Sequence, residues 1–256
     1  MTDVSKMVSD RVAISRTVLS SLHVHGAEVS GGLEQLLFPG GPPPHLTVAQ
    51  VLGALGRVLD QARNDLTTAD LANAAELADD VAPRAARDQA IVEVRARLIS
   101  IRGTLSSVFG SGILPLYGLG GETPDDPELL AHRAANVAKL LADRPIMEQP
   151  KQAGVTVNAL ALAHSLQEPM KSLTVALGDV GREEREAQLT LKARNEAVAV
   201  WNARYQGVAD VVTGIFELVG RGDLAELVRP TSRRRAGVAE QGDLPASPAV
   251  DPAKPA

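Results

Sequence analysis

Residues 166–219 read "LQEPMKSLTVALGDVGREEREAQLTLKARNEAVAVWNARYQGVADVVTGIFELV". Steps of four and three run unbroken through Leu166, Met170, Leu173, Leu177, Val180, Glu184, Ala187, Leu191, Arg194, Val198, Trp201, Tyr205, Val208, Val212, Ile215 and Val219. That spacing keeps one face of an α-helix in register. A break at Gly178 or Gly181 would reset the phase, and it does not. The stretch therefore predicts one continuous helix of about 80 Å at 1.5 Å per residue, despite about 1 kcal/mol lost at each interior glycine. Pro169 falls in the first turns, where a missing N–H is tolerated. Glu184 and Arg194 also occupy the seam, so each needs a partner from another helix or an exposed position.

The rest of the chain repeats the pattern in shorter lengths. Residues 3–30 carry a stripe of Val8, Val12, Leu19 and Leu22, and "FPGGPPPH" (38–45) stops it. Thr47 and Gln50 form a capping box ahead of Val48, Leu52, Leu55, Leu59 and Leu66. Thr67 with Asp70 reads as a second capping box, opening a separate short helix to about Asp80. Pro83 then suits the first turn of a helix over 84–109. Asp126-Pro127-Glu128 predicts an N-cap, a first-turn proline and an acid at the positive helix end. That helix runs to Arg144, before Pro145. The main loop covers 110–126; the stretch 109–121 carries Phe109, Leu114, Leu116 and Tyr117 and is expected to fold back over one end of the bundle. Gly220 is expected to cap the long helix, and Asp223 with Glu226 to open a short one ending at Pro230.

These signals predict an all-α fold: an elongated, mainly antiparallel helical bundle with one long C-terminal helix. The expected domain covers 1–230. Residues 231–256, rich in Pro and Ala and lacking any apolar stripe, are expected to form a disordered tail.

Composition narrows the function. Of 256 residues, 45% are hydrophobic and 2% aromatic, so a core must come from aliphatic side chains that suit close-packed helices. There is no cysteine, which excludes disulfides and thiolate chemistry. The net charge of −5 argues against general nucleic-acid binding. The preponderance of Arg over Lys points to a GC-rich bacterial genome. No stretch is an uninterrupted membrane span, and a cytoplasmic location is expected.

Chemistry-bearing motifs are few. His23 and His25 lie two apart and diverge on a helix, so they do not make a metal site. "YGLGGE" (117–122) lacks the lysine of a P-loop and the spacing of a dinucleotide fingerprint. No catalytic residue, cofactor or metal is expected. Trp201 and Tyr205, four apart on the seam, read first as core anchors and second as a partner-binding hot spot. Tyr117, in the apolar loop, and the basic run Arg233, Arg234 and Arg235 complete the candidate interaction residues. The expected function is a non-enzymatic helical scaffold or interaction protein, engaging a protein partner or itself. Two alternatives follow from the same features. One is a membrane-active, pore-forming type of helical protein; the other is a ligand-binding or enzymatic bundle with an inter-helix pocket near Tyr117 and Trp201.

Overall fold

A computed structural model describes residues 3–152 and 154–244. Among them there is no strand. The helices are α1 (Lys6–Leu37), α2 (Val48–Asp79), α3 (Val81–Phe109), α4 (Pro127–Asp143), α5 (Ala159–His164), α6 (Gln167–Leu218), α7 (Gly222–Val228) and α8 (Ser232–Arg235). Short 3₁₀ segments cover Ser111–Tyr117 and Gln241–Asp243. The fold is all-α.

The long helix spans 52 residues without interruption. At its end Gly220 takes φ +75°, a conformation that favours glycine, and the Arg221 N–H donates to the Phe216 carbonyl at 2.8 Å. Thr47 and Gln50 form the expected reciprocal box: the Gln50 N–H donates to the Thr47 hydroxyl and the Thr47 N–H to the Gln50 side chain. Asp126 caps α4 by accepting from the Leu129 N–H at 2.8 Å. Asn158 caps α5, a short helix not expected from the sequence.

The expected break at Thr67 does not occur, and α2 is continuous to Asp79. Inside the helix the Thr67 hydroxyl donates back to the Arg63 carbonyl. Asp70, which would have been part of the cap, is buried and accepts from the Ser5 N–H at 2.7 Å and its hydroxyl at 2.9 Å. It thus holds the start of α1 instead.

The chain divides into two compact units, one running up to Ala75 and resuming at Gln188, the other Glu76–Ala187. In the first, Ser5 bonds Asp70 and Glu34 bonds the Val48 N–H, so α1 and α2 run antiparallel. Arg194 lies 3.9 Å from Asp70, close to the Thr190–Asn73 hydrogen bond, which sets α6 antiparallel to α2. The result is an up-down-up bundle whose core joins Ile14, Val18, Leu59, Leu66, Trp201, Tyr205, Val212 and Phe216. Helix α7 closes it with Leu224 and Val228.

In the second unit, α3, α4, α5 and the first part of α6 surround Val94, Leu98, Leu105, Leu130, Val137, Leu166 and Leu173. The loop after α3 does fold back: Ile113, Leu114, Tyr117 and Leu119 are all buried in this core. Both α2 and α6 carry the boundary between the units. From Gly181 to Val200 no residue of α6 is buried. Glu184 is exposed, and Arg194 finds Asp70.

The segment expected as a disordered tail is corrected for residues 231–244. Thr231 caps α8 by accepting from the Arg234 N–H. Arg234 and Asp243 are both buried and form a two-pronged ion pair at 2.9 Å. Asp243 also accepts from the Thr17 hydroxyl of α1 at 2.7 Å. A polar clamp, with no apolar stripe, holds this segment to α1, so position 230 is no packing boundary. Residues 245–256 lie outside the described residues.

Candidate interaction surface

The two aromatic anchors of α6 are core residues. Trp201 and Tyr205 are fully buried and stacked, with ring centroids 5.0 Å apart and planes within 2°. The Trp201 indole N–H donates to the buried Ser15 hydroxyl at 2.9 Å, and the Arg11 guanidinium lies 5.3 Å from the ring centre. Arg11 is itself largely buried, and desolvation lowers its pKa from the usual arginine value. Burial raises the Tyr205 pKa, and its hydroxyl has no hydrogen-bond partner among the described residues. Tyr117 is buried in the other core, where its hydroxyl reaches the Arg144 carbonyl at 3.4 Å. None of the three presents a free face to a partner.

The basic run is not a free patch either. Arg234 is consumed by Asp243, while Arg235 bonds the Pro230 carbonyl at 3.0 Å and Asp210 at 3.2 Å. Only Arg233 of the three stands exposed without an ion pair among the described residues. The three arginines are adjacent in sequence, but the α8 turn sends them in different directions.

A surface of another kind lies on the outer side of α6. Half a turn away from Trp201 and Phe216, the helix carries Leu189, Ala193, Glu196, Val200, Ala203, Gly207, Val211, Gly214 and Leu218. Steps of four and three put them on one face. Leu189 is 66% exposed, Val200 49%, Val211 47% and Leu218 61%. Glu196 is the only charged member, and Lys192 pairs with it at 3.8 Å. Beside this face, α2 presents Val58, and the two helices bound an open groove of about 600 Å³ that Arg57 and Arg204 flank. The sequence held this signal as a second register in the stretch already quoted; following the stripe through Trp201 hides it.

Exposed apolar pairs one heptad apart recur elsewhere: Val51 and Val58 on α2, and Val92 and Ile99 on α3.

The acidic side chains Glu76, Glu183 and Glu186 converge, each offering an oxygen within 4.8 Å of the others, an arrangement able to hold a cation. Sequence spacing could not bring Glu76 to the other two, since α2 and α6 meet only in the fold. One oxygen of Glu76 is buried without a partner, and desolvation followed by repulsion from Glu186 and Glu183 raises its pKa. No helix among the described residues is long and apolar enough to cross a membrane.

The chain matches no family model, and no curated protein or solved structure shows significant similarity to it.

Proposed function

We propose that the protein is a non-enzymatic helical scaffold, a subunit that engages other proteins through the outer faces of its helices. One observation carries the reading. Val51 and Val58, Val92 and Ile99, and Val211 and Leu218 are exposed apolar pairs at heptad spacing, on helices that already bury another face. A single exposed apolar residue is ordinary. Regular repetition on a second face is the pattern of a helix that packs on both sides. A cytoplasmic, bacterial setting belongs to the same proposal and rests on composition.

The test is cross-linking in the native cell followed by purification and identification of attached proteins. Wild-type protein should carry at least one stoichiometric partner. Val51→Glu with Val58→Glu, or Val92→Glu with Ile99→Glu, should lose it while keeping the wild-type circular dichroism and melting temperature. If the wild type carries no partner, or both double variants keep every partner, the scaffold reading fails.

A further inference from the structure

We propose that the groove between α1 and α2 is the docking site for an amphipathic helix of a partner protein, one that carries acidic side chains at one end. The inference rests on the scaffold reading and gives the partner's chemistry at one surface.

Small residues open the groove. Along its floor Leu19, Leu22 and Ala27 of α1 face Leu52, Gly53 and Gly56 of α2, around an open space of about 360 Å³. A second open space of about 450 Å³ shares Leu19, His23 and Gly56 with the first, so the two form one channel along the helix pair. Gly26 is buried, yet a Cβ there would meet nothing within 4 Å. At Gly53 a Cβ would meet only the Arg57 guanidinium, at 3.5 Å. Glycine weakens a helix interior, and neither of these two is needed to let α1 and α2 approach. What they leave is room above the floor, which an apolar side chain from outside can fill.

Charge selects the occupant. No lysine, arginine or carboxylate lines the first space. Arg16, Arg57 and Arg63 line the second, against a single carboxylate, Asp60. Arg63 already holds Asp60 at 2.7 Å. Arg16 and Arg57 are exposed, and neither has an ion pair or hydrogen bond among the described residues. Free guanidiniums are not the habit of this unit: Arg221, Arg229 and Arg235 each hold a carboxylate. Nor are they a by-product of excess base, because the chain has 31 acidic residues against 26 lysines and arginines.

The channel is therefore neutral and apolar at one end and cationic at the other. Its complement is a helix with an apolar stripe and carboxylates at one end, which guanidinium forks take in two-pronged bonds. An open channel running along two helices suits a helix laid into the groove. From Arg16 to Ala27 α1 rises about 17 Å, room for about three turns of the docked helix. A nucleic-acid backbone would satisfy the arginines but leave the aliphatic floor unmatched.

The experiment uses the full chain and a synthetic probe. The probe is a helical peptide of about four turns, with leucines at steps of three and four and glutamates in its first turn. Its control carries lysines in place of the glutamates. Titration calorimetry should show saturable, one-to-one binding of the acidic peptide only. Arg16→Glu with Arg57→Glu should weaken that binding about ten-fold or more. Gly26→Leu with Gly53→Leu should abolish it while the melting temperature stays equal or rises, since leucine favours the helix. That pair separates a filled groove from a damaged fold.

Failure of both peptides to bind, equal binding of the lysine peptide, or acidic-peptide binding indifferent to the groove-filling variant would each overturn the proposal. So would phosphatidylglycerol vesicles that bind through Arg16 and Arg57 while the acidic peptide does not, an outcome that makes the surface a membrane site. A native partner recovered by cross-linking while the acidic peptide fails to bind sinks this inference alone. Peptide binding as expected, with no partner recovered from the cell, supports the groove and sinks the scaffold reading alone.

Discussion

Ser15 of α1 accepts the Trp201 indole N–H at 2.9 Å, and both residues are fully buried. Its own hydroxyl proton goes to the Arg11 carbonyl at 2.9 Å. The hydroxyl thus joins the two helices at the centre of the first core. Ser15→Ala should cost about 1–3 kcal/mol, because it leaves a buried donor unsatisfied. Trp201→Ala should cost about 3–5 kcal/mol, the range for emptying a buried aromatic site. Urea denaturation checks both. Native tryptophan emission should be blue-shifted and resistant to iodide in the wild type.

Asp243 is the keystone of the C-terminal clamp. Asp243→Asn removes the charge facing Arg234 and leaves a buried guanidinium without its counter-ion. A loss of about 3–5 kcal/mol is expected. Truncation after Pro230 removes Arg234 and Asp243 together, and it should also lower the melting temperature by several degrees. Calorimetry on both variants is the check; an unchanged transition after truncation would show that 231–244 contributes nothing.

Gly237 takes φ +75°, and a Cβ there would overlap the Arg11 guanidinium. Gly237→Ala should therefore cost about 1–2 kcal/mol for the left-handed backbone. It should also push Arg11 away from Trp201. A change in tryptophan emission accompanying the stability loss separates this from a purely local backbone effect.

Glu76 gives a pH signature. Its folded pKa is raised by desolvation and by Glu186 and Glu183. The folded state therefore binds this proton more tightly than the unfolded chain does. The resulting penalty is full above the folded pKa and fades as pH falls through it. Glu76→Gln should raise the melting temperature at neutral pH, and the gain should shrink in acid. A gain independent of pH would rule out relief of charge as the cause.

Much of the fold was legible because burial of aliphatic residues leaves a periodic trace. The α6 register held from Leu166 to Val219 within a residue of the helix ends, and the Thr47 and Asp126 caps were readable from residue type alone. The misses share a cause: polar residues whose partners are distant in sequence. Thr67 and Asp70 have the spacing of a cap, but Asp70 is drawn to Ser5, 65 residues away. Residues 231–244 are held by Arg234, Asp243 and Thr17, and a search for apolar stripes is blind to them. The acidic cluster and the outer face of α6 were hidden differently. The first depends on helices meeting, and the second lies half a turn from the register that Trp201 and Tyr205 make conspicuous.

The stretch of α6 from Gly181 to Val200, where nothing is buried, sets how the two cores communicate. Its tertiary backing is thin, resting on the polar contacts of Thr190 with Asn73 and Arg194 with Asp70 and on the half-buried Ala197 and Val198, and Gly181 weakens the helix locally. Opening there should require far less free energy than global unfolding. Native-state hydrogen exchange should show these amides exchanging ahead of those around Leu173 and Tyr205. A fraying middle between two protected ends would make the longest helix of the protein a poor conduit of cooperativity, so that each core melts in its own transition.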